Sequence, residues 1–155
     1  MLEFESYSDK WGQKFYSLNN VWLRKLFLIE PYDEYVLENP REAILDKGGS
    51  IFFGVYEGQA VATFALVPTS KGSVELNKMA VQEDLRGRGF GNTMMSFVLE
   101  QCRKDGVDSI ELYSNRKLVN ALHLYRKFGF KETPIPSDNP YERADIRMVL
   151  KLSGR

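Results

Sequence analysis

The apolar positions of this chain change period several times, and each change marks an element. Residues 2–7 alternate apolar and polar side chains, the period of a half-buried strand. From Lys10 onward Trp11, Phe15, Leu18, Trp22, Leu26 and Ile29 recur at steps of three and four, which predicts a long amphipathic helix ending before Pro31. Asn39-Pro40 offers a cap followed by a residue suited to the first helical position, so a short helix should run through Leu45 and stop at Gly48-Gly49. Residues 50–56 and 59–67, rich in β-branched and aromatic side chains, flank Glu57-Gly58 and read as a hairpin. Residues 68–72 form a loop in this reading and residues 73–81 a further strand.

The second half repeats the alternation of strand and helix. Met94, Met95, Val98, Leu99 and Cys102 make a helical stripe across residues 90–104, closed by Gly106. A short strand over 109–113 precedes a helix over 118–128, whose apolar face is Leu118, Ala121, Leu122, Tyr125 and Phe128 and whose stop is Gly129. Residues 133–140 hold three prolines and read as loop; residues 144–152 alternate again and supply the last strand. With no repeat, linker or low-complexity run, this order predicts one α/β domain over residues 1–155.

Composition narrows the function classes. A hydrophobic fraction of 43% with 20 aromatic residues is too rich for intrinsic disorder. The 21 basic and 21 acidic side chains balance, which argues against a dedicated nucleic-acid partner. The balance is an average: residues 1–70 hold 6 basic and 10 acidic side chains, and residues 71–130 hold 10 and 7. One cysteine, Cys102, and one histidine, His123, give neither an internal disulfide nor a Cys/His zinc site, so no metal is expected and the compartment reads as reducing, hence cytoplasmic. The acidic start of the chain is unlike a signal peptide, and no stretch approaches the roughly 18 apolar residues of a membrane span.

The candidate chemistry sits between the strand over 73–81 and the helix over 90–104. Arg86-Gly87-Arg88-Gly89-Phe90-Gly91 places three alternating glycines there, leaving backbone N–H groups uncovered at a helix N-terminus, where the dipole also favours an anion. A phosphate or pyrophosphate is the natural ligand. The loop ends Gly91-Asn92-Thr93, without the lysine of a Walker loop. A dinucleotide fingerprint stays open on spacing, because Glu111 stands about 20 residues on, although a hairpin precedes the loop.

The run Glu75-Leu76-Asn77-Lys78-Met79-Ala80-Val81, four residues, and then the glycine loop resembles motif A of the GNAT superfamily of acetyl-CoA-dependent N-acetyltransferases. Asn115, Lys117-Leu118, Ala121, Leu124-Tyr125 and Gly129-Phe130 resemble the superfamily's next motif, and residues 141–148 are similar to the closing strand of one bacterial branch. The resemblance covers roughly residues 50–152 and implies a central twisted, splayed mixed sheet flanked by helices. It also implies acetyl-CoA as donor, a primary amine of a small molecule or peptide as acceptor, direct attack in a ternary complex, and allows a homodimer. A non-catalytic acyl-CoA sensor of the same fold is the alternative.

Carried onto this chain, the resemblance puts the pyrophosphate on the backbone of Arg86, Gly87, Arg88, Gly89, Gly91 and Asn92, and the pantetheine arm along the main chain of Met79, Ala80 and Val81. Tyr125 matches the residue that protonates the departing thiolate; its other reading is a filler of the apolar helix face. Glu75 matches a general base of some relatives, or is a strand glutamate facing solvent or an ion-pair partner. Asn115 resembles a pantetheine contact and would equally cap a turn. Glu30, Tyr32 and Tyr35 are weaker candidates for the amine, and Cys102 and His123 are assigned no role.

Overall fold

In the computed structural model, which describes residues 1–152 apart from 28, 71 and 140, seven strands form one sheet in the order β1-β2-β3-β4-β5-β7-β6. The strands are β1 (Glu3–Ser6), β2 (Ser50–Tyr56), β3 (Gln59–Pro68), β4 (Ser73–Val81), β5 (Ser109–Ser114), β6 (Lys131–Thr133) and β7 (Ile146–Lys151). The helices are α1 (Gly12–Leu26), α2 (Pro31–Glu38), α3 (Pro40–Ala43), α4 (Phe90–Lys104) and α5 (Val119–Lys127). Two positions of the predicted loops, Lys71 and Pro140, and the last three residues of the predicted domain lie outside the described residues.

The sheet has a core on each face. On one face Phe90, Met94, Met95 and Val98 of α4 and Leu122 of α5 pack on Phe64, Ile110 and Met148. On the other, Phe15 and Leu23 of α1 and Val36 and Leu37 of α2 pack on Ile51, Phe53 and Ala65. Phe15, Phe53 and Phe64 are completely buried, and truncating any of them to alanine would cost about 3–5 kcal/mol.

Where the glycines punctuate the chain, the expected elements appear within one residue of their expected bounds: the hairpin across Glu57-Gly58, β4, and α4. Four expectations shift. The first helix begins only at Gly12, after a 3₁₀ turn over Asp9–Trp11, and ends at Leu26. Pro31 does not simply close it; Pro31 opens a helix of its own, α2, at the first helical position, where its missing N–H is no loss. Thr133, read as the start of a loop, instead ends the three-residue strand β6 on the sheet edge, and the final strand starts at Ile146 because residues 141–144 turn back on themselves (Ala144 N to Tyr141 O, 3.2 Å).

Two irregularities shape the centre of the sheet. β4 and β5 are parallel neighbours only over Ser73↔Ser109, Val74↔Ile110 and Glu75↔Glu111; beyond that they part, while β4 stays paired with β3 to Val81 and β5 with β7 to Ser114. All other neighbouring strands are antiparallel. β4 also carries a bulge, since Asn77 pairs with Ala65 and Ala80 with Thr63, leaving one extra residue on β4. Lys78 sits in the bulge with φ +54°.

Candidate active site

Parting β4 from β5 leaves a cleft of about 790 Å³, within the range of about 300–1,000 Å³ typical of small-molecule sites. The open edge of β4 forms one wall, so main-chain groups of residues 76–81 face the gap without a strand partner on that side. α5 and the end of β5 form the other wall, and the glycine loop closes one end. Of the site residues expected from sequence, Glu75, Met79, Ala80, Val81, Arg86, Gly87, Gly89, Gly91, Asn92, Asn115 and Tyr125 all line this cleft. Arg88 does not; its guanidinium turns toward the Tyr56 hydroxyl at 3.5 Å.

The loop's glycines divide into two kinds. Gly87 and Gly89 have φ of +84° and +81°, and a Cβ on either would meet no protein atom within 4 Å. Their requirement is conformational, and the space beside them is open to a ligand. Gly91 differs: its Cβ would lie 3.2 Å from a methyl of Leu124, so it lets α4 approach α5 closely. Gly89 caps α4, whose first-turn N–H groups have no intrahelical partner and point toward the loop. Lys127 reaches across from α5 to Asn92 Oδ1 at 2.6 Å, adding positive charge to the same end. An anion such as a pyrophosphate fits this cradle.

Tyr125 stands on the stripe of α5 that sequence periodicity marks as apolar, yet most of that stripe is cleft wall; Leu122 is its one buried residue. The Tyr125 ring packs 5.9 Å from Phe130, and its hydroxyl has no hydrogen-bond partner among the described residues. Burial pushes its pKa up to about 12, so it is a neutral donor at physiological pH.

Glu75, the last β4 residue before the strands part, is held from two sides. Tyr141 Oη donates to Glu75 Oε2 at 2.7 Å, and Asn77 Nδ2 donates to the same oxygen at 3.1 Å. Burial raises its pKa; these two bonds and the charge of Lys78 pull it back in part, and Glu111 opposes them. The carboxylate thus sits above its ordinary range, closer to the value a general base needs at neutral pH. Asn77 Oδ1, beside it, is buried without a partner.

Asn115 lines the cleft but spends both ends of its amide internally, donating to Arg143 O at 2.6 Å and accepting from Lys117 N at 2.9 Å, as a turn cap does. Cys102 is buried in the α4 core, and burial raises its thiol to about 12, which keeps it inert. His123 is exposed on the cleft rim. The weaker amine candidates do not line the cleft: Tyr32 packs edge-on to Tyr141, and the Glu30 carboxylate accepts the N–H groups of Glu142 and Arg143. Trp22, Phe27, Tyr113, Tyr141 and Arg143 line the cleft instead. Sequence periodicity assigned Trp22 to the helix's buried face, but burial along α1 moves to Leu23 and leaves Trp22 facing the cleft.

The model of the acetyltransferase (GNAT) family matches residues 12–130, which take in the helices α1 to α3, the glycine loop and α5. The chain belongs to this family. It is 30% identical over 112 residues to the "uncharacterized N-acetyltransferase YvbK" of Bacillus subtilis (strain 168), covering 70% of this chain and 72% of that one. It is 29% identical over 84 residues to the mycothiol acetyltransferase of Clavibacter michiganensis, covering 54% of this chain and 27% of that protein. In fold it is similar to a GNAT-family acetyltransferase from Staphylococcus aureus Mu50, with TM-score 0.87, 20% identity and 97% and 99% of the two chains covered. A Bacillus subtilis acetyltransferase solved in complex with CoA superposes with TM-score 0.75 at 22% identity, covering 98% and 99%. As a GNAT-family member the chain is an acetyltransferase, and the dinucleotide fingerprint left open by spacing falls. No helix of the described residues is long and apolar enough to cross a membrane.

Proposed function

We propose that this GNAT protein transfers the acetyl group of acetyl-CoA to a primary amine of a small molecule or peptide, by direct attack while both substrates are bound. One observation carries the reading: Glu75 and Tyr125, on opposite walls of one cleft, flank the open β4 edge that ends on the glycine loop. The pyrophosphate would rest on the backbone of residues 86–92, and the pantetheine arm would pair with the main chain of Met79, Ala80 and Val81 as a missing strand would. A β4 amide would then polarise the thioester carbonyl.

The acceptor amine is protonated at neutral pH and gives its proton to Glu75, directly or through water. Its lone pair forms the N–C bond, the C–S bond breaks, and the second proton of the nitrogen passes to the departing thiolate, which leaves as the CoA thiol beside Tyr125. A phenol at about 12 is a weaker acid than a thiol at about 8.5, so complete proton transfer would cost about 5 kcal/mol. The hydroxyl therefore acts first as a hydrogen-bond donor to the departing sulfur. No covalent acetyl-enzyme is required, and the one cysteine is buried away from the cleft.

Thiol release from acetyl-CoA against amino acids, polyamines, aminoglycosides and peptide N-termini tests the reading. Release with at least one group supports it. Thermal stabilisation by acetyl-CoA with no release across the whole panel would instead identify an acyl-CoA sensor.

A further inference from the structure

The cleft wall that holds Tyr141 and Arg143 carries a buried charge cluster that the reaction above does not use. Lys78 Nζ donates to Asp33 Oδ1 at 2.7 Å, and the two side chains are 1% and 0% exposed. Asp33 Oδ2 accepts from Arg143 Nη1. Arg143 also lies 3.6 Å from Glu30, whose carboxylate accepts the N–H groups of Glu142 at 3.0 Å and Arg143 at 2.9 Å. The Tyr141 ring stands between the two cations, 5.1 Å from Lys78 Nζ and 4.9 Å from Arg143 Cζ. Two cations and two carboxylates make the cluster neutral in itself. It joins the first turn of α2, the bulge of β4 and the segment ahead of β7.

Such a pair is a poor stabiliser, because burying the two charges costs about as much as their attraction returns. Its location gives it another use. Lys78 is the bulge residue, and holding a side-chain-bearing residue in the left-handed region costs roughly 1–2 kcal/mol. The bulge also decides which amides of residues 78–80 face the cleft, since one added residue reverses the alternation along the strand. A bond from the bulge side chain to a completely buried carboxylate on another element holds that register against relaxation.

We propose that the Lys78–Asp33 pair is a tether that sets the β4 bulge and so aims the main-chain amides of Met79 and Ala80 at the acetyl carbonyl; Lys78 and Asp33 are positioning residues. The inference rests on the acetyltransfer reading for its catalytic consequence. The tether leaves the pyrophosphate hold untouched, because that hold belongs to the glycine loop at the end of the cleft beyond β4.

The test is the double variant Lys78→Met/Asp33→Leu, which replaces the ion pair by apolar side chains and avoids an unpaired buried charge, together with Lys78→Gly, which removes the tether but accepts the positive φ without strain. CoA affinity by calorimetry should stay within about two-fold in both, while kcat falls at least roughly 10-fold, the scale set by misplacing a transition-state donor. Amide hydrogen exchange over residues 76–81 should accelerate. A merely structural pair would lower the melting temperature and leave kcat of the folded protein unchanged. Retention of wild-type kcat and exchange in Lys78→Gly would overturn the tether, and that variant decides the matter if the double one does not fold. If wild-type protein acetylates no amine, the functional reading fails instead, and exchange over 76–81 still decides whether the tether exists.

Discussion

The two sides of the cleft are built from different materials. The side proposed for the donor, from the β4 edge through the glycine loop to α4, presents backbone: positive-φ glycines with no neighbour where a Cβ would be, unpaired strand amides and a helix N-terminus. The side proposed for the acceptor presents side chains: Tyr141 on Glu75, Arg143 and Lys78 on Asp33, and Trp22 from α1. Backbone recognises what every member of an enzyme class must bind, since it is insensitive to most substitutions. Side-chain networks can be rewritten one residue at a time. A constant donor facing a variable acceptor follows from this division of labour.

The division can be broken at chosen points. Tyr125→Phe should show the largest effect, a fall in kcat of roughly 100-fold or more with CoA affinity unchanged, measured by thiol release and calorimetry. Its melting temperature should not move, because the lost hydroxyl has no protein partner. Glu75→Gln comes next, with kcat/KM lowered roughly 10- to 100-fold and the acidic limb of the pH–rate profile abolished. In the wild-type enzyme that limb should lie above the usual carboxylate range, the direction in which burial moves Glu75.

On the donor side, Gly89→Val should raise the acetyl-CoA KM about 10-fold with little change in kcat, because it strains a φ of +81° and fills the cradle. Gly91→Val should behave differently, lowering stability by about 1–3 kcal/mol through overpacking on Leu124 and shifting the melting temperature more than the KM. The smallest effect concerns stability alone. A carboxyl whose pKa is raised by folding holds its proton more tightly in the native state, so its ionisation destabilises the protein as pH rises through that raised pKa. Glu75→Gln should therefore melt above wild type at pH 7, with the difference vanishing once pH falls below the ordinary carboxylate pKa of about 4.3.

The same contrast explains how much of the molecule its sequence disclosed. Elements bounded by glycine, such as α4 and the hairpin, were readable because the signal is local. α2 escaped because Pro31 is read equally well as a stop or as a first helical residue, and only packing of Val36 and Leu37 against the sheet selects the second. β6 escaped because three residues carry no period. The glycine loop was readable as a contiguous motif and Tyr125 as part of a second, and the fold brings both to one cleft. The acceptor network was not: Lys78 meets Asp33 across 45 positions and Arg143 meets it across 110, and no periodicity encodes such pairings. Two of the ten acidic residues of the segment 1–70, Glu30 and Asp33, are consumed by this network.

The central claim is that one cleft brings a backbone-held donor between Tyr125 and Glu75. A crystal structure with CoA tests it most directly. The pyrophosphate should accept hydrogen bonds of about 3 Å from amides of residues 87–92, and the thiol sulfur should lie within hydrogen-bond reach of the Tyr125 hydroxyl, on the side of the cleft facing Glu75. A pyrophosphate bound away from the glycine loop, or a thiol separated from Tyr125 by other side chains, would contradict it.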